Sequence, residues 1–123
     1  MITQLKFMSI PVADQGRALK FYTEKLGFKV ATDQQMGPGA KQRWIELRIG
    51  KAETRVVLFT MDGEEGRVGT RMNCSIGCDD VEATWRQLSE RGVEFEGPPQ
   101  KQSWGSFVIM KDSEGNQFVL GSD

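Results

Sequence analysis

The chain has 123 residues, 38% of them hydrophobic and 27% charged, enough to bury one core without disulfides or metals as staples. Sixteen basic and seventeen acidic residues leave a net charge of -1, which offers no general attraction to nucleic acid or anionic lipid. Histidine is absent, so imidazole bases, serine–histidine triads and the commonest metal ligand are absent with it.

In chain order, the opening "MITQLKFMSIPV" alternates like a strand and lacks the charged-then-apolar layout of a signal peptide. No apolar run reaches the length of about 18 residues that a membrane span needs. A cytoplasmic protein without nucleic-acid or membrane partners is expected. The segment 8–30, "MSIPVADQGRALKFYTEKLGFKV", then reads as strand, helix, strand. Asp14 sits at the helix N-cap, and Gly27 falls where a helix takes a left-handed stop. Ala18, Phe21, Tyr22 and Leu26 recur at helical spacing and predict the buried face. A loop, "MGPGA", leads to a hairpin of "QRWIELRIG" and "RVVLFT". Ile45, Leu47 and Ile49 should face the helix, leaving Trp44, Glu46 and Arg48 on the other side. A regular hairpin sets Glu46 opposite Leu58.

After the glycine-rich, polar "DGEEGRVGT" the plan repeats. Segment 74–95, "CSIGCDDVEATWRQLSERGVEF", matches 8–30: Ser75-Ile76 with Ser9-Ile10, Asp80 with Asp14, Gly92 with Gly27. Asp79 with Glu82 has the spacing of a capping box, and Val81, Trp85 and Leu88 give the buried face. Cys74 and Cys78 lie about 13 Å apart if both are on one strand, too far for a disulfide; both are expected reduced and toward the helix. "EGPPQ" reads as a loop before a second hairpin, "WGSFVIMK" and "NQFVLG", in which Val108 is expected opposite Val119. Trp104, Ser106, Val108 and Met110 should then share a face with Asn73, Ser75 and Val119.

The fold class expected is α+β, two βαβββ modules (1–61 and 71–123, joined by 62–70) whose curved mixed sheets form a cup with helices outside. "FMSIPVADQGRALKFYTEKLGF", "CDDVEATWRQLSERGV" and "WGSFVIMKDSEGNQFVL" resemble the vicinal oxygen chelate superfamily, which includes glyoxalase I, extradiol dioxygenases, fosfomycin resistance enzymes and bleomycin resistance proteins. The resemblance spans essentially the whole chain and implies paired modules, often in homodimers. It also implies that metal-dependent members place His, Glu or Gln ligands on the first and last strand of each module. Here those positions hold Phe7, Leu58, Asn73 and Val119, of which only Asn73 offers a donor, so neither metal nor cofactor is expected.

Three readings follow. The first is a protein that binds or sequesters a small aromatic or amphipathic molecule, lined by Phe7, Trp44, Glu46, Arg48, Leu58, Asn73, Ser75, Trp104, Val108 and Val119. The second is a metal-independent isomerase or lyase with Glu46 as catalytic base, its pKa raised by burial; a glyoxalase-like metalloenzyme with non-standard ligands is a variant of it. The third is an interaction module that has lost its small-molecule site.

Overall fold

A computed structural model describes residues Met1–Asp123. The chain divides into two compact units, Met1–Val68 and Gly69–Asp123. In the first, strand β1 (Phe7–Ile10) leads to helix α1 (Gln15–Lys20), then β2 (Lys29–Gln35), β3 (Arg43–Arg48) and β4 (Arg55–Leu58). In the second, β5 (Arg71–Gly77) precedes helix α2 (Val81–Glu90), β6 (Glu94–Gln102), β7 (Gly105–Lys111) and β8 (Gln117–Ser122). Each unit holds one four-stranded mixed sheet, in the orders β1-β4-β3-β2 and β5-β8-β7-β6. In both, the first strand runs parallel to the last and the other pairings are antiparallel. The internal repeat of the sequence is thus an identical strand topology. No helix is long and apolar enough to cross a membrane.

Local chemistry explains where the helices begin and end. The Asp14 carboxylate accepts the Arg17 N–H at 3.0 Å, and the Asp80 carboxylate accepts the Ala83 N–H at 3.1 Å, each satisfying a backbone donor the helix cannot pair itself. The second cap is therefore Asp80 and not Asp79, because only Asp80 lies one residue before the first helical turn. α1 runs on into a π-helical turn, Phe21–Lys25, and Gly27 then adopts φ 79°; Gly92, after α2, adopts φ 89°. Both are left-handed stops that a side chain would strain.

In the first unit Ile10, Ala18, Tyr22, Ile45, Leu47, Val56 and Leu58 are buried; in the second, Val81, Leu88, Val108, Met110, Phe118 and Leu120 are. Ala18, Tyr22, Val81 and Leu88 come from the helical segments, and alternation along each strand puts the others on the face that the unit's helix covers. Burial of each large aliphatic group contributes about 1.5–3 kcal/mol.

Two local expectations are corrected. "EGPPQ" is not a loop: it lies within β6, where the pairing with β7 shifts register between Glu96 and Gln100. β6 is an edge strand, so Pro98 and Pro99, which lack N–H groups, sit at a bulge on an edge where proline is tolerated. Cys78 lies just beyond β5, in the connection to α2, whereas Cys74 is on the strand. Both thiols are free, and burial pushes the Cys74 pKa up.

The turn between β7 and β8 is held by a buried polar network. Asp112 Oδ1 accepts the N–H groups of Glu114 and Asn116, and its Oδ2 accepts the Asn116 side-chain amide at 3.0 Å. Asn116 Oδ1 accepts the Gly69 N–H at 2.8 Å. Asn116 is fully buried, so this polar run fixes the entry of the last strand.

Candidate functional site

The face of the first sheet away from α1 is assembled from strand register. Directly paired residues on neighbouring strands share a face. One row across this face is Thr32, Glu46, Val57 and Ser9. Glu46 thus lies opposite Val57, one residue from the expected Leu58, and Leu58 is buried on the helix side. The hairpin loop between β3 and β4 is longer than "KAE" alone, running from Ile49 to Thr54, and that sets the pairing. The second hairpin corrects in the same sense: Val119 pairs with Ile109, and Val108 pairs with Leu120 on the helix side. Val57 in the first unit and Val119 in the second are equivalent, since they pair with Ser9 and Ser75 respectively.

Around Glu46 the first unit gathers three aromatic rings. Trp44 meets Phe7 edge-on at a centroid distance of 5.4 Å and Phe59 at 5.2 Å. The Trp44 indole N–H donates to Glu46 Oε2 at 3.0 Å, and Arg55 donates to Glu46 Oε1 at 2.9 Å. The Glu46 side chain is only 15% exposed and that of Arg55 35%. The indole N–H holds the Glu46 carboxyl below the usual carboxylate range, with Arg55 and the charge of Lys6 adding to the effect and burial opposing it. The expected raised pKa is therefore corrected: desolvation is outweighed by hydrogen bonds to the charged form. With both oxygens engaged, Glu46 is a weak base whose evident work is to orient Trp44 and Arg55. Arg48 shares this face and is exposed.

In the second unit the corresponding face carries Ser75, Val119, Ile109 and Glu96 in one row, and Arg71, Gln117, Lys111 and Glu94 in the next. Asn73 is exposed on β5 with the same parity as Ser75. Trp104 belongs to the turn before β7 and not to the strand; it is 65% exposed and stacks on Phe107 with centroids 5.7 Å apart and planes 17° from parallel. Ser106, Val108 and Met110 lie on the opposite parity from Phe107 and Ile109, so they are not neighbours of Val119 on this face. The sequence reading missed Arg55, Val57 and Phe59 in the first unit, and Phe107 and Ile109 in the second. Val57, Phe59, Phe107 and Ile109 lie in continuous apolar runs, "VVLF" and "FVIM", where alternation gives no parity, and Arg55 directly precedes the first of them.

The positions that the resemblance assigns to metal ligands now read Phe7, Val57, Asn73 and Val119. Their side chains offer one neutral amide among three apolar groups, and no group of three or more Cys, Asp or Glu side chains is placed to hold an ion. That donor set does not fit a divalent cation, which needs several oxygen or nitrogen donors and charge to offset its dehydration.

The first unit also has two recesses. One, of about 760 Å³, is lined by residues that include Gln15, Lys41, Gln42, Arg43 and Thr60. Its amides are engaged: Gln15 bridges the backbones of Arg43 and Leu58, and Gln42 pairs both ways with the Thr60 backbone. These bonds join α1 and the β3 entry to the end of β4, which is a structural role. The other recess, of about 520 Å³, lies at the β3–β4 hairpin and includes Arg48, Lys51, Glu53 and Arg55.

Comparison with known proteins agrees with this architecture. The family model described as the Glyoxalase/Bleomycin resistance protein/Dioxygenase superfamily matches residues 4–120. Among curated proteins, YetH of Bacillus subtilis (strain 168) is 38% identical over 120 residues, covering 98% of each chain. Among solved structures, a member of the same superfamily from Sphaerobacter thermophilus DSM 20745 aligns with TM-score 0.88 at 33% identity, covering 99% of this chain and 98% of that one. TnmS3, an antibiotic binding protein from Streptomyces sp. CB03234, aligns with TM-score 0.85 at 33% identity, covering 98% and 96%.

Proposed function

The chain belongs to the glyoxalase/bleomycin resistance protein/dioxygenase superfamily, and within it we propose that it is a metal-free binding protein for a small planar aromatic molecule. The observation that carries this reading is the Phe7–Trp44–Phe59 cluster on the helix-free face of the first sheet, with Glu46 locking the indole in place. Aromatic walls with a few fixed polar groups are the usual make-up of a small-molecule site. An oriented indole also loses little rotamer freedom on binding, which favours stacking affinity. The second unit carries a separate aromatic platform, Trp104 on Phe107, whose outer ring is largely bare. The 33%-identical antibiotic binding protein supports a binder over a catalyst. So does the lowered pKa of Glu46, which makes the one carboxylate proposed as a base a weaker one.

Binding is tested by titrating tryptophan emission with planar polycyclic aromatics. A saturable quench at one ligand per site, without consumption of the compound, is expected. Absence of quenching across neutral, anionic and cationic members of such a panel refutes the reading, and turnover of a bound compound would convert it into an enzyme. We further propose a homodimer in solution; a monomer mass by light scattering at micromolar concentration contradicts that part.

A further inference from the structure

The charges around the aromatic cluster are strongly one-sided. In the β2–β3 ladder Lys29 is paired with Arg48. One step beyond the last β3–β4 pair, Leu47 with Val56, the same register brings Arg48 opposite Arg55. Arg55 is in turn paired with Phe7 on β1. Lys29, Arg48 and Arg55 therefore form a row of three cations across one face of the sheet, ending at a ring of the aromatic cluster. Like charges set directly opposite one another destabilise a sheet.

One carboxylate, Glu46, lies a row away, and it bonds only Arg55 of the three. Lys29 and Arg48 are exposed, and neither has an acidic partner. The recess of about 520 Å³ beside them adds Lys51 and one further carboxylate, Glu53. Arg55 lines that recess and holds Glu46, which holds the Trp44 indole. The cationic recess and the aromatic face are thus joined through one hydrogen-bonded chain of three side chains.

A cationic ligand would need Glu46, but both its oxygens are occupied and the cations beside it repel a further positive charge. An anion would relieve the Lys29–Arg48–Arg55 repulsion and could take paired donors from the arginine forks.

We infer that the ligand is an aromatic anion, with its ring on Trp44 and Phe7 and its carboxylate, sulfonate or similar group in the recess of Arg48, Lys51 and Arg55. This rests on the aromatic-binding reading above and adds the sign of the ligand's charge.

Three compounds that share one ring system separate the two claims: anthracene carboxylate, anthracene methanol and aminomethylanthracene, each titrated against tryptophan emission. The carboxylate should bind about tenfold or more tightly than the alcohol, as charge-assisted hydrogen bonds allow, and the ammonium compound more weakly than either. Arg48→Gln should bring the carboxylate-to-alcohol ratio close to one, while Arg86→Gln, on the exposed face of α2, should leave it unchanged. Added salt should narrow the ratio as well. If the alcohol or the ammonium compound binds as tightly as the carboxylate, or if Arg48→Gln leaves the ratio intact, the inference is overturned and the aromatic site stands. If none of the three quenches, the aromatic-binding reading fails and the inference fails with it.

Discussion

Replacing Glu46 by glutamine removes a charge and little volume, which makes it a sensitive probe of the site. The wild-type carboxylate accepts from Trp44 at 3.0 Å and from Arg55 at 2.9 Å, with its side chain 15% exposed. A hydrogen bond to a charged group contributes about 1.5–3 kcal/mol when well buried. Arg55 is about one-third exposed, so the ion-pair part is screened and its share falls toward the surface range. The amide can still accept one of the two bonds. The net loss at neutral pH is then about 1–2 kcal/mol, a fall in Tm of about 4–8 °C for a chain of this size. The sign with pH follows from the direction of the shift. Glu46 has its folded pKa lowered from 4.5, so its contribution is complete above that value and is lost as pH falls through the folded pKa. Urea denaturation of wild type and Glu46→Gln at stepwise lower pH should show the gap closing below 4.5. A gap of constant size down to full protonation, or equal stability at neutral pH, refutes the account of the carboxylate. A double-mutant cycle with Arg55→Gln should give a coupling of about 0.5–1 kcal/mol.

Trp104→Ala should leave stability within about 0.5 kcal/mol, since its ring is mostly exposed, yet weaken aromatic ligands that stack on the Trp104–Phe107 platform about 5- to 100-fold by titration; unchanged affinity for every such ligand means that this platform binds none of them. Asn116→Ala removes the acceptor of the Gly69 N–H and the amide bond to Asp112 Oδ2, so chemical denaturation should show a loss of about 2–3 kcal/mol; a loss under about 0.5 kcal/mol would mean that water replaces the amide. Elemental analysis of protein purified without chelators should find no stoichiometric divalent metal, because Phe7, Val57, Asn73 and Val119 supply one neutral donor between them; about one ion per chain would contradict that reading.

The repeat, the helix caps and the hairpin order were legible because each rests on short-range chemistry. Asp14 and Asp80 announce helix starts, Gly27 and Gly92 announce stops, and Ser9-Ile10 with Ser75-Ile76 aligns the two units. Parity was legible only where polar and apolar residues alternate. "WIELR" placed Trp44, Glu46 and Arg48 on one face, and "QFVL" separated Val119 from Phe118 and Leu120. In "RVVLF" and "SFVIM" both faces are apolar, because Val57 is buried as fully as Leu58. The register there depends on loop geometry that composition does not encode, and Leu58 and Val108 were displaced by one residue as a result. Pro98 and Pro99 misled for a related reason: a proline pair argues for a loop unless the strand is known to be an edge. The state of Glu46 was out of reach of sequence, since Arg55 is nine residues away and its approach depends on that same hairpin register.

The most direct test of the account follows the three indole N–H resonances by NMR during titration with anthracene carboxylate. The Trp44 signal, tied to Glu46, should shift progressively and saturate together with the emission quench. The Trp85 signal, from the middle of α2, should stay in place. A Trp44 resonance that does not move while the compound binds, or shifts confined to Trp85, would place the ligand elsewhere and contradict the assignment of the site.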